Sequence, residues 1–468
     1  MSCSLFFLFL RILLLLCFSF SSFSSAATNK NLQASNTNMD PHETETLFNI
    51  METLSSDQNW RVSHPNPCKP GSSWIGIECK NTGHDNLVHV SRLDFGIPPN
   101  PSCKNTATFP SEIFRLPHLE SVFFIQCFTR TKTTISLPPQ FSTSSLQQLS
   151  MRSNSELVGL IPSQLSSLKS LQILTLSQNL LTGSIPAEIF SLDSLLHLDL
   201  SYNMLTGIIP AQVGNLKSLV GLDLSYNKLT GIIPNTIGQL GMLQKLDLSS
   251  NELTGSIPES IQTLRSLVFI ALSSNKLRGF FPEGVSKLQT LQYFIMDDNP
   301  MFTSLPSELG ELQKLQELRL ANSGYTGTIP STYSKLSNLS TLSLQNNQLT
   351  GEIPVSFGSL SHIYHLNLSR NFLAGVVPFN PSFLNRLGKN LDLSGNPGLC
   401  LIPSDANGSK SNILGVNVCG NNNKSAGSLI KPWKMSEAHQ HGITTKSSFF
   451  LVSTMIPVAL LNHLFLYI

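Results

Sequence analysis

One spacing governs this chain. An asparagine recurs at Asn179, Asn203, Asn227, Asn251, Asn275 and Asn299, each 24 residues after the last. Ser323, Asn347 and Asn371 continue the count, and Asn396 follows after a step of 25. Upstream, Asn154 stands 25 residues before Asn179, and Cys127 fills the same slot 27 residues earlier. Around each copy runs LxxLxLxxNxLxGxIP, as in Leu219, Leu222, Leu224, Asn227, Leu229, Gly231, Ile233 and Pro234. A degenerate first unit (Val90, Leu93, Phe95, Pro98) opens the array, which gives about twelve or thirteen coils.

A repeat this short dictates an architecture. The LxL alternation is a brief strand with its leucines on one face. Alone it cannot bury that face, so successive coils must stack and share a continuous core. The Asn turns the chain out of the strand, and its amide is placed to bond backbone groups of the turn and of the next coil. Gly permits a sharp bend, and the Pro of IP blocks helix and favours extended chain on the outer arm. The expected fold is an α/β solenoid with a parallel sheet lining its concave face.

A length of 468 residues would otherwise suggest about three domains, a prior that fails for stacked repeats. A net charge of +2 and a charged fraction of 12% give no footprint for nucleic acid or acidic lipid. The N-terminus is a long apolar run ending in small residues, with Ser24 and Ala26 placed for cleavage after Ala26. A retained membrane anchor is the alternative. Cys3 and Cys17 would leave with such a leader. Cys68, Cys79, Cys103, Cys127, Cys400 and Cys419 remain, an even set bracketing the array, as export to an oxidising compartment would produce. With no CxxC and no His at ligand spacing, neither a metal nor a cofactor is expected.

The LTGxIP copies (Leu181 to Pro186, Leu205 to Pro210, Leu229 to Pro234, Leu253 to Pro258, Leu349 to Pro354) resemble the plant-specific class of leucine-rich repeat. The opening ETETLFNIMETLSSDQNW with CKPGSSWIGIEC resembles the cap preceding such repeats in plant receptors, and GNPGLC their closing cap. The stretches MDPHETETLF, LQYFIMDDNPMF and RLGKNLDLSGNPGLC are similar to plant receptor-like proteins of the Piriformospora-indica-insensitive group. The resemblance spans nearly the whole mature chain. It implies a protein at the extracellular face of the plasma membrane that works beside receptor kinases in signalling or in responses to microbes.

The expected organisation is a signal peptide over 1–26, an N-terminal cap over 27–86, the solenoid over 87–399, a C-terminal cap over 400–419, a polar linker over 420–448 and an apolar tail over 449–468. Leu47, Ile50, Met51 and Leu54 fall on one helical face, with Trp60 and Trp74 available to cover the first coil. Cys68 with Cys79 and Cys400 with Cys419 would close short loops. Cys103 and Cys127 are one coil apart and could lie side by side, although four N-terminal cysteines allow three arrangements. Glycan acceptor sequences stand at Asn338, Asn367, Asn407 and Asn423, with Asn367 expected to face outward on the concave sheet. Small residues at Ser436 and Ala438, a spacer and the apolar tail read as a glycosylphosphatidylinositol signal, with Ser436 as the lipid-bearing residue. A spanning helix and free secretion are the rivals.

No phosphate loop, HExxH, GxSxG or kinase signature is present, so a non-enzymatic binding protein is expected. The adjacent Asp297 and Asp298 would point to opposite faces unless a turn begins between them. The coils around Asn275, Asn299 and Ser323 depart from the pattern: Met301, Phe302 and Thr303 replace Leu-Thr-Gly. They place Phe269, Tyr293, Ile295, Asp297, Glu317 and Arg319 at outward positions, a mixture of aromatic and charged groups typical of binding anchors. Drift with lateral packing between coils is the plain alternative. The expected partners are a leucine-rich-repeat receptor kinase, a peptide or a glycan, contacted by a receptor component without a kinase domain. The rivals are a secreted inhibitor of a microbial wall-degrading enzyme, resembling polygalacturonase inhibitors, and a cell-wall scaffold.

Overall fold

Each regular coil turns its LxL into a three-residue strand, such as Gly221–Asp223, with Leu222 and Leu224 fully buried beneath it. The computed structural model describes residues 38–420 except 56–57, 70, 72, 82–84, 86, 139–144 and 403–414. The expected leader, Asn407, Asn423, Ser436, the linker beyond Gly420 and the apolar tail lie outside the described residues.

Among the described residues, fourteen strands form one sheet. Strand β1 (Ile77–Asn81) pairs antiparallel with β2 (Val88–Phe95), and the thirteen strands from β2 onward run parallel, one per coil. Register is held by the core: Leu198, Leu222, Leu246 and Ile270 stand side by side on successive strands. A slip of one residue would turn every such leucine to solvent. Burying each is worth roughly 1.5–3 kcal/mol, repeated once or twice per strand.

The Asn ladder carries the turns. Asn227 is nearly buried, accepts from Leu205 N–H at 3.0 Å, and donates to the carbonyls of Leu200 (3.0 Å) and Leu224 (3.2 Å). Its amide therefore reaches back to the preceding coil, whereas the sequence reading placed it on the next one. The reason is geometric: the residue just before each Asn, Tyr226 among them, is left-handed (φ 52°), which aims the amide backward.

On the outer arm each IP proline is extended, and a single 3₁₀ turn follows it, as in Asn235–Gln239 after Pro234. The LTG segments pair laterally into short parallel sheets, for example Val158–Leu160, Leu180–Ser184 and Met204–Thr206. Glycine is required there. Gly231 has φ +77°, and a Cβ would lie 2.8 Å from Ile208 Cγ2. Among the described residues this lateral pairing lapses between Leu277 and Ser304, where Phe302 takes a left-handed φ of 47° and Thr303 stands in the glycine slot.

Caps close both ends. Helix α1 (Pro41–Leu54) starts at Asp40, whose carboxylate accepts from His42 and Glu43 N–H, and it buries Leu47, Phe48, Ile50, Met51 and Leu54. Trp60 and Trp74 meet edge to face at 5.1 Å. The disulfides are Cys68–Cys79, Cys103–Cys127 and Cys400–Cys419, so the side-by-side placement of Cys103 and Cys127 holds. Among the described residues no helix is long and apolar enough to cross a membrane.

Candidate functional site

Stacked in register at 24-residue intervals, the concave strands turn sequence columns into surface rows. Phe269, Tyr293 and Glu317 form one row, and Ala271, Ile295 and Arg319 the next. Three parallel strands about 4.8 Å apart gather these side chains into a patch about 10 Å wide. Asp297 lies just past its strand and joins the patch through Arg319, whose Nε donates to Asp297 Oδ2 at 2.8 Å. Arg319 also stands 3.7 Å from Glu317.

The residues are not equally presented. Phe269, expected to face outward, is only 5% exposed. It lies outside the leucine core, between Lys245 and Tyr293 on the flanking strands, with the Tyr293 ring 6.1 Å away. The correction follows from its flanks: Phe269 stands between two long side chains, Lys245 and Tyr293, and loses its exposure to that lateral packing. Tyr293 and Ile295 are half-buried, and the Tyr293 hydroxyl donates to Gln316 Oε1 at 3.2 Å. Arg319 keeps 40% of its side chain exposed, against 8% for Asp297.

Burial pushes the Asp297 carboxyl up, and Arg319 with the Ala321 N–H pulls it back in part. Burial also raises Glu317, again opposed by Arg319. Asp298 does begin the turn: its φ is 59°, and its carboxylate accepts from Asn322 Nδ2 at 2.9 Å. Asp297 is committed to Arg319 and Ala321, so the two acids do not share one site. Beneath the patch Ser323 replaces the ladder Asn, donating to Ala321 O at 2.8 Å, while Met301 N–H is shared between Asn299 O at 2.8 Å and Ser323 O at 3.0 Å.

A second concave feature was passed over in the sequence. Asp199, Asp223 and Asp247 stand side by side on three strands. Each accepts from the N–H and hydroxyl of a serine two residues on, Ser201, Ser225 and Ser249, the hydroxyl contacts being 2.6 Å. Lys245 Nζ reaches Asp223 at 3.0 Å. Burial and the neighbouring Asp223 charge raise Asp199 and push Asp247 up to about 6. Burial, helped by Lys245, lowers His197. Tyr202 and Tyr226 stack face to face with centroids 4.1 Å apart. The signal was available: the string LDLSYN occurs in two successive coils, which sets like charges about one strand spacing apart.

Among the glycan acceptors, Asn338 is exposed and donates to Gln313 O at 2.7 Å. Asn367 ends a concave strand between Ser343 and Asp392, half-buried, with its Oδ1 accepting from Ser369 N–H and hydroxyl. On the outer arm, Leu160, Pro162, Pro186, Ile208 and Pro210 line a shallow groove of about 650 Å³.

The Leucine rich repeat family model matches residues 144–205, 197–253, 243–301 and 313–373. Receptor like protein 29 of Arabidopsis thaliana is 67% identical over 124 residues, which is 26% of this chain and 27% of that protein. The matched stretches span about a quarter of the length of the curated relatives. A leucine-rich-repeat protein of Leptospira interrogans superposes with a TM-score of 0.54 at 32% identity, covering 68% of this chain and 76% of that one. The ectodomain of the Arabidopsis receptor kinase HAESA, solved with an IDA peptide hormone, gives 0.60 at 27% identity, covering 78% and 59%.

Proposed function

Since the chain belongs to the leucine-rich-repeat family and is similar to plant receptor-like proteins, we propose that it is a non-enzymatic cell-surface receptor component whose concave face binds an extracellular peptide, a glycan or the ectodomain of a receptor kinase. The observation that carries this reading is the patch of Tyr293, Ile295, Glu317 and Arg319, where a half-buried aromatic, an aliphatic side chain and a partly exposed arginine adjoin on the concave sheet. Binding energy concentrates on such anchors, held on rigid strands and ringed by polar groups. Three disulfides support an oxidising, extracellular setting. Similar ectodomains, including HAESA with its peptide, support a peptide or receptor-kinase partner.

The reading is tested by immobilising the full chain and measuring equilibrium binding to a panel of plant secreted peptides, cell-wall oligosaccharides and receptor-kinase ectodomains. Saturable binding to at least one panel member is expected. Inhibition of a microbial polygalacturonase, with no panel member bound, would replace this reading with the inhibitor. We further propose that Ser436 carries a lipid anchor. Phosphatidylinositol-specific phospholipase C should then release the protein from intact plant membranes, and retention would contradict it.

A further inference from the structure

At the N-terminal end of the solenoid, three elements meet around one imidazole. His89, on β2, is 3% exposed, and its Nδ1 lies 2.7 Å from Oε2 of Glu43 on helix α1. Glu43 is itself 4% exposed, and its other oxygen accepts Val90 N–H at 2.8 Å. That carboxylate is held from two sides and fixes a proton on Nδ1, so Nε2 of the neutral ring is an acceptor. Yet Nε2 faces another acceptor, Asp85 Oδ2, at 2.9 Å. Two acceptors that close need a proton or a metal ion between them.

A proton on Nε2 would meet that requirement, but it leaves the third neighbour unexplained. His118, in the turn leading to the strand Ser121–Ile125 of the next coil, brings its ring to 4.0 Å from that of His89. One donor atom each from Asp85, His89 and His118 lies within 4.8 Å of the others. Metal bonds of about 2.0–2.2 Å set such donors about 3.5 Å apart, within reach of a small rotation of the half-exposed His118. The buried Glu43 stands where a carboxylate orients a metal-bound imidazole through its far nitrogen. We infer that Asp85, His89 and His118 form a zinc site, with Glu43 positioning His89 and an open fourth position for water. Two imidazoles and one carboxylate are a borderline donor set that suits zinc. The ion would tie the β1–β2 connection to the first two coils and lock the N-terminal cap onto the solenoid. Sequence spacing hid the site, because the histidines are 29 residues apart and only the coil geometry brings them together.

The test is calorimetric titration of zinc chloride into the full chain, purified without a polyhistidine tag and stripped with EDTA, near neutral pH. One zinc per chain is expected, with a zinc-dependent rise in Tm. His118→Ala and Asp85→Asn should each weaken binding at least about ten-fold and abolish the rise, since both groups lie at the rim of the site and the fold does not rest on them. Replacing His439 and His441, a histidine pair outside the site, should change nothing. Absence of saturable binding, or equal affinity in the wild type and in His118→Ala, would overturn the site and leave His89 bridged by a proton alone.

Discussion

Asp297 and Arg319 stand on neighbouring coils and are joined by a 2.8 Å contact between Arg319 Nε and Asp297 Oδ2. Asp297 Oδ1 takes the Ala321 N–H at 2.7 Å, so the nearly buried carboxylate is held by one charged and one neutral donor. Arg319→Ala should cost about 1–2 kcal/mol in thermal denaturation, because it strips a buried charge of its counterion. The sign with pH follows from the raised Asp297 carboxyl. Loss of Arg319 raises it further, so the deficit should be larger at neutral pH, where the group must ionise, than in acid. A deficit independent of pH would show the pair to be incidental.

The aspartate row gives a prediction of opposite sign. With Asp247 pushed up to about 6, the folded state holds a proton that the unfolded chain releases. Stability carried by this group is therefore lost as pH rises from the ordinary aspartate value toward 6. Asp247→Asn should remove that slope and stabilise the protein by roughly 1–2 kcal/mol at neutral pH. Asparagine fits the slot, since Asn367 makes the same contacts to Ser369 in the equivalent place. Denaturation midpoints of wild type and variant across that range would check it, and parallel curves would contradict it.

Asn227→Ala should orphan the buried Leu205 N–H and the carbonyls that its amide now caps, at a cost of about 2–3 kcal/mol. Asn227→Ser should cost less than that. Ser323 holds the same position, accepting from Asn299 N–H at 3.3 Å and donating to Ala321 O. Chemical denaturation of the two variants side by side decides between a ladder that needs the amide and one that needs only a polar turn.

Glycan occupancy should favour Asn338 over Asn367. A glycan on the exposed Asn338 nitrogen leaves one N–H to keep the bond to Gln313 O. At Asn367 the sugar would have to stand between the rows of Ser343 and Asp392. Glycopeptide mass spectrometry of protein made in plant cells reads both sites directly, and equal occupancy would contradict the ordering.

Most of the scaffold was legible because its causes are local and repeated. The 24-residue period, the buried leucines and the Asn turns each follow from a few neighbouring letters. The concave patch was legible only as positions. Alternation puts Phe269 on the outer face of its strand, but burial there depends on its lateral neighbours, with the Tyr293 ring 6.1 Å away on the next strand. The pairing of Asp297 with Arg319 crosses coils and shows only when the repeats are aligned. The Glu43 and His89 contact joins cap to solenoid over 46 residues, and the repeat period carries no trace of it.

The central claim is that the coils around Tyr293 form the binding surface. Its most direct measurement is the equilibrium affinity of the partner selected from the binding panel, for wild type and for Tyr293→Ala, with Glu188→Ala on the outer arm as control. The account predicts that Tyr293→Ala weakens binding by about 1 kcal/mol or more with the fold intact, and that Glu188→Ala leaves it unchanged. Unchanged affinity in Tyr293→Ala, with the chain still folded, would place the binding surface elsewhere on the solenoid.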